Sequence, residues 1–302
     1  MHYSIADLEK FSGIKAHTIR MWEQRYELLV PHRTETNIRF YDDDQLRRLL
    51  NVAVLVRCGM RISQIAKLSE EEVAVALEER TKDPHSNTSY AKETNALLMS
   101  ALTYDEDVFH RTFADCLMRF GLEDTYTRVL SPVLFRTGLM WSKSEMEVCQ
   151  EHFISNLIGQ KLFTAADKLA DPKPDAKTWV LFLPEQEEHE IGLLYANFLI
   201  RQYGHKVVYL GARVPMKDLA DNIERIAPDH MLTFLKHSSS VDWMDKFIKR
   251  LTTTFKDYGP VVAGPPYLFS EIKVSDAINI MTHPDDLLNL LLDGGTIRME
   301  YE

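Results

Sequence analysis

Trp179-Val-Leu-Phe-Leu-Pro-Glu-Gln-Glu-Glu-His-Glu-Ile-Gly192 decides how the second half of the chain folds. Its first five residues form an unbroken apolar run of strand length, and the charged residues after them belong on a surface loop. Leu193-Leu-Tyr-Ala-Asn-Phe-Leu-Ile-Arg-Gln-Tyr203 then has helical apolar spacing and stops at Gly204. Strand, loop and helix make half of a doubly wound α/β unit, and the loop falls at the carboxyl edge, where such sheets bind ligands. An imidazole there, His189, can ligate a metal, with Glu187 fixing its tautomer from behind. Gly192 lets something large approach the backbone. The same residues also describe a solvated acidic loop that carries an incidental histidine.

Downstream the alternation continues. Strands are predicted at Lys206–Leu210, Met231–Lys236, Pro260–Gly264 and Ala277–Met281, and helices at Met216–Ile226, Val241–Tyr258 and Pro284–Leu292. This is the pattern of an open parallel sheet with helices on both faces, a doubly wound α/β (Rossmann-like) domain. The first strand is not followed by G-x-G-x-x-G or a Walker sequence, so nucleotide binding has no direct support.

Upstream, Asp171-Pro-Lys-Pro-Asp-Ala176 is a stiff connector, and residues 90–170 have the periodicity of a four-helix bundle. Breaks are predicted at Thr103–Asp105, Gly121–Asp124 and near Pro132, with Asp105 and Asp124 as N-caps. Within the bundle, Trp141 is followed ten residues later by Glu151-His152. Thr81-Lys-Asp-Pro-His-Ser-Asn-Thr-Ser89 has the polar, small-residue composition of a linker. The predicted organisation is therefore multidomain: a head at 1–80, a linker at 81–89, a helical bundle at 90–172 and an α/β domain at 173–302.

The head reads as a winged helix-turn-helix. Ile5 to Phe11 is a short helix capped by Ser4 and ended by Gly13, and His17 to Arg25 is a second. Lys15, His17, Thr18 and Arg20 lie at the start of that second helix, suited to a major groove. Val30 to Tyr41 is a turn-rich hairpin that presents Arg33 and Arg39 to phosphates. Helices at Asp44–Cys58, Arg61–Leu68 and Glu70–Arg80 follow. Residues 1–67 hold eleven Lys and Arg against eight Asp and Glu in a chain whose net charge is −10. A locally basic module on an acidic body fits a DNA-binding head and excludes a protein that coats nucleic acid with its whole surface.

Thr18-Ile-Arg20, Trp22-Glu23, Arg25, Leu28-Leu29, Arg33, Arg39-Phe-Tyr41 and Gly59-Met-Arg-Ile-Ser-Gln-Ile65 together resemble the DNA-binding domain of the MerR family. The resemblance implies double-stranded promoter DNA as partner, with Lys15, His17, Thr18, Arg20, Arg25, Arg33, Arg39 and Tyr41 at the interface. Trp22 and Tyr41 also read as core and wing-packing aromatics.

Trp141, Glu151-His152 and Glu187-x-His189-x-x-Gly192, in that order behind a MerR head, resemble the cobalamin-dependent light-sensing repressors of the CarH/LitR type. The resemblance implies that His189 is the lower ligand of the cobalt of adenosylcobalamin. It also implies that Gly192 makes room for the nucleotide tail, and that Trp141, Glu151 and His152 pack around the adenosyl group on the upper face. Thr233, Leu235, Ala263 and Gly264 would line the tail. Thr233 and Ala263 stand where such domains usually have Ser and Gly, and Ser142 stands where members can carry a His. The implied function is a repressor, not an enzyme, whose homo-oligomer (dimer or tetramer) assembles on adenosylcobalamin in the dark and releases DNA in light. Two alternatives stand beside it: a MerR-type regulator whose sensor takes another chromophore, a protein partner or no ligand, and a corrinoid methyl-transfer protein.

The remaining features are bland. Cys58, Cys116 and Cys149 form neither a disulfide framework nor a zinc pattern and read as small core residues in a reducing cytoplasm. A secretory signal is not visible, and no apolar run approaches the roughly 20 residues of a membrane span.

Overall fold

The computed structural model describes residues 2–34, 36–80, 90–142, 146–236, 241–269 and 278–292. The linker predicted at 81–89 and Ala277, the first residue of a predicted strand, lie outside them. The chain divides into two compact units, Met1–Asn156 and Leu157–Glu302.

In the first unit, α1 (Ile5–Ser12) opens with a capping box in which Ser4 and Asp7 bond each other's backbone N–H groups, and closes on Gly13 at φ 73°. Glu9 of α1 accepts the Ala16 N–H at 2.9 Å, so it caps α2 (Ala16–Tyr26). The wing is a pair of two-residue antiparallel strands, β1 (His32–Arg33) and β2 (Arg39–Phe40). Asp42 caps α3 (Asp43–Arg57), the buried spine of the head, which α4 (Ile62–Ile65) and α5 (Glu70–Arg80) follow.

The bundle begins with α6 (Ala91–Thr103), which packs on α3. Asn95, 3 % exposed, donates to the Leu50 carbonyl at 3.1 Å. Asp105 caps α7 (Glu106–Thr125) as predicted, by accepting from Val108 N–H. The break predicted at Gly121–Asp124 is a kink at Gly121 (φ 74°, ψ 175°). Asp124 is not an N-cap: it lies within the helix and pairs with Arg128 at 3.0 Å, one turn on. A π-helical turn at Tyr126–Leu130 leads into α8 (Ser131–Ser142), and α9 (Val148–Asp167) follows. Cys116 is buried and its thiol is pushed up to about 12 by that burial. Cys58 is half-buried and Cys149 is exposed, so only Cys116 is a core residue.

The second unit is a five-stranded parallel sheet in the order β4-β3-β5-β6-β7, with β3 (Thr178–Pro184), β4 (Lys206–Val214), β5 (His230–Phe234), β6 (Pro260–Ala263) and β7 (Asn279–Met281). Between them run α10 (Ile191–Gln202), α11 (Met216–Ile226), α12 (Val241–Thr254) and the closing α13 (Pro284–Leu292). The order reverses between β3 and β5, so the loops after those two strands flank the switch point, where an open α/β sheet forms its crevice. One core lies between the sheet and α11 and α12, built from Val180, Phe182, Met231, Leu235, Val262 and their neighbours. Helices α10 and α13 contact each other, and neither contributes to that core.

Candidate functional site

His189 sits on the loop after β3, with 46 % of its side chain exposed, while Glu187 beneath it is only 5 % exposed. Glu187 Oε1 accepts the His189 ring Nδ1 at 2.5 Å and the His189 backbone N–H at 3.0 Å, and Oε2 accepts the Lys236 N–H at 2.8 Å. Burial works against a charge on Glu187, yet the hydrogen bonds from the His189 ring, Lys236 and the His189 backbone hold its carboxyl down at about 2. A permanent carboxylate on Nδ1 puts the ring proton there and makes Nε2 the nitrogen that a metal would take.

The other carboxylates of the loop are structural. Glu188 pairs with Arg213 at 2.9 Å, and Glu190 accepts the Tyr209 hydroxyl at 2.9 Å, so both tie the loop to β4. With Glu187 bound to the backbone beyond β5, the loop is strapped across the switch point. This is not a loose acidic turn. Among the described residues no group of three or more His, Cys, Asp or Glu could hold a metal ion. A single oriented imidazole suits a metal that arrives already held by its own ligands.

Not every predicted residue shares this face. Gly192, in the first turn of α10, meets Phe234 of β5: a Cβ at 192 would lie 3.0 Å from Phe234 Cδ1. Met231 and Leu235 belong to the core on the α11/α12 side, so alternation sends Thr233 there too, away from Gly192. Thr233 is 1 % exposed and its hydroxyl has no partner. Ala263 lies beside Phe234 in register and is 4 % exposed. Gly264 is explained within the chain, since a Cβ there would lie 2.6 Å from the Leu235 carbonyl oxygen. On the α11/α12 side of the same loop, a cavity of about 180 Å³ is lined by Pro184, Glu185, Gln186, Trp243 and Arg250 among others. Sequence reasoning missed Phe234, whose only signal was strand parity.

In the first unit, Trp141 is 49 % exposed near the end of α8 and Val148 is 48 % exposed at the start of α9. Glu151 and His152, three and four residues after Val148, lie on the same helical face, and the His152 side chain is 68 % exposed. Trp141 and Val148 are thus large apolar side chains left exposed on α8 and α9. Val148 had no place in the sequence reading.

On the head, His17, Arg20, Arg25, Arg33 and Arg39 are exposed and Thr18 is half-buried. Lys15 is exposed but paired with Glu9 at 3.0 Å. Arg33 bonds Asn37 at the wing tip. Tyr41 is corrected: it is 0 % exposed and its hydroxyl donates to Glu23 Oε1 at 2.5 Å, so it packs the wing onto α2 and offers no surface to DNA.

Comparison with known proteins gives two family matches, both upstream of the sheet. Residues 3–72 match the family described as MerR HTH family regulatory protein, and residues 94–164 match the B12 binding domain. The chain is 29 % identical to the HTH-type transcriptional repressor CarH of Myxococcus xanthus over 87 % of its length and 88 % of that protein. With the repressor CarA of the same organism it shares 28 % identity over 76 % of its length and 75 % of CarA. The structure of a Methanosarcina barkeri monomethylamine corrinoid protein superposes with a TM-score of 0.55 at 14 % identity, covering 68 % of this chain and 99 % of that one, and so shares the fold. The chain therefore combines a MerR-type helix-turn-helix head with a cobalamin-binding module and is a transcriptional regulator similar to CarH and CarA.

Proposed function

We propose that the chain is a cytoplasmic repressor that binds promoter DNA as a homo-oligomer, controlled by adenosylcobalamin and light. The observation that carries the reading is the Glu187–His189 pair: a half-exposed imidazole whose Nδ1 is committed to a buried carboxylate. When bound, adenosylcobalamin supplies a cobalt–carbon bond that light breaks. His189 would hold the cobalt through Nε2, and Glu187 keeps the ring in the required tautomer and orientation. Trp141, Glu151 and His152 are the proposed contacts to the adenosyl group. Arg20, Arg25 and Arg39 would neutralise phosphates, with Arg33 at the wing tip. Joining several weak heads in one oligomer raises their effective concentration on repeated sites, so assembly alone strengthens DNA binding. The ligand can shift assembly only by its different affinity for the two states.

Support comes from the CarH and CarA relatives, which are repressors, and from the B12-binding match. Among the described residues no helix is long and apolar enough to cross a membrane. The test is reconstitution of the purified chain with adenosylcobalamin in darkness, followed by gel filtration and an absorption spectrum before and after illumination. A retained corrinoid spectrum and a larger size in the dark, with the size lost in light, are expected. A chain that retains no corrinoid and keeps one size throughout overturns the reading.

A further inference from the structure

We infer that Phe234 weakens this chain's hold on the nucleotide tail of cobalamin, so that adenosylcobalamin remains a ligand but a corrinoid without the tail binds more tightly. The inference rests on the corrinoid reading of His189 given above. It starts from the meeting of Gly192 and Phe234. A Cβ at 192 would lie 3.0 Å from Cδ1 and 3.1 Å from Cε1 of the ring. The large group that glycine admits here is the ring of this chain's own phenylalanine.

The placement follows from sheet parity. Met231 and Leu235 face the α11/α12 core, so Thr233 faces it as well and Phe234 projects to the α10 side. The residue in front of Gly192 is therefore a bulky apolar ring, and the Thr233 hydroxyl is on the other side of the sheet.

The chemistry of the ligand turns this into selectivity. If His189 takes the lower position on cobalt, the nucleotide base of cobalamin cannot occupy that position and must be housed elsewhere. The space before Gly192 is where the family resemblance would house it, and Phe234 stands there. To admit the tail, the half-buried ring has to swing out, which exposes apolar area and lowers apparent affinity by the population of the open rotamer. A corrinamide that ends before the nucleotide has no base to house and leaves the ring in place.

The test is equilibrium dialysis of the full chain in darkness against aquocobinamide and against aquocobalamin, with wild type, Phe234→Ala, Phe234→Leu and His189→Ala. Wild type should bind cobinamide at least about tenfold more tightly than cobalamin. Phe234→Ala should bring the ratio towards one, and Phe234→Leu, which keeps most of the apolar volume, should move it part of the way. His189→Ala should weaken retention of both corrinoids. Equal affinities in wild type, or a ratio that neither Phe234 variant alters, overturn the selection by Phe234 and leave the corrinoid reading intact. Retention of neither compound by wild type or by the Phe234 variants overturns both.

Discussion

Glu187 holds His189 through two bonds to one carboxylate oxygen, from the ring Nδ1 at 2.5 Å and from the backbone N–H at 3.0 Å. Its other oxygen takes the Lys236 N–H at 2.8 Å, so one buried side chain fixes the imidazole and bridges the loops after β3 and β5. Glu187→Gln keeps an acceptor for one side of this arrangement and puts an NH2 group on the other. Corrinoid retention should fall about 10- to 100-fold, as for other groups that orient a metal-binding histidine. Equilibrium dialysis against aquocobalamin measures it, and unchanged retention would remove Glu187 from the site.

The same carboxylate gives an acid-stability signature. Its folded value of about 2 lies below the ordinary 4.5, so its contribution is complete above about pH 4.5 and is lost as the pH falls towards 2. Wild type should lose stability across that window more steeply than Glu187→Gln, whose side chain does not titrate. Urea unfolding at a series of pH values checks this, and identical slopes for the two proteins would contradict it.

Arg136 of α8 donates to the Asn95 Oδ1 at 3.1 Å and to the Phe11 carbonyl at the end of α1 at 3.0 Å. Burial, and then the nearby Arg57, lower its affinity for the proton, so the guanidinium sits in a costly place. Arg136→Met strips two acceptors of their partner and should cost about 1–3 kcal/mol. Thermal unfolding reports it; a melting temperature equal to wild type would show that the bundle does not brace α1 through this residue.

Arg20 is exposed near the start of α2, whereas Lys15 shares its charge with Glu9 at 3.0 Å. Arg20→Ala should reduce the slope of log affinity against log salt by about one. Lys15→Met should change that slope less. Filter binding over a salt series separates them, and equal effects would mean that the Lys15–Glu9 pair opens on DNA.

Trp141 is half-exposed, so Trp141→Ala should leave stability within about 0.5 kcal/mol of wild type, as for a surface substitution away from the core. The dark response of DNA binding to adenosylcobalamin should nevertheless weaken. A large loss of melting temperature would instead make Trp141 a packing residue.

Much of this was legible in the sequence because it depends on local pattern. Trp179 to Leu183 reads as a buried strand from its length and unbroken apolar run, and the helix from Ile191 needs nothing beyond its own spacing. His189 with Glu187 two residues before it showed the pair, although not that the carboxylate is buried. Phe234 was not legible. A one-residue change of parity at the end of β5 sends Thr233 or Phe234 to the Gly192 side, and only the sheet decides which. The head also read as separate from the bundle, because residues 81–89 have linker composition. The bonds from Asn95 to Leu50 and from Arg136 to Phe11, 45 and 125 residues apart, brace them and leave no local trace. Tyr41 ends a wing rich in DNA-facing residues, but its hydroxyl serves Glu23, a partner 18 residues away.

The most direct measurement is the affinity of the full chain for its own promoter DNA, at saturating adenosylcobalamin in darkness, after illumination, and without ligand. Tight binding is expected only in the dark with ligand, weakening by at least about tenfold on illumination, with no ligand response in His189→Ala. Equal affinity in all three conditions would contradict control by ligand and light.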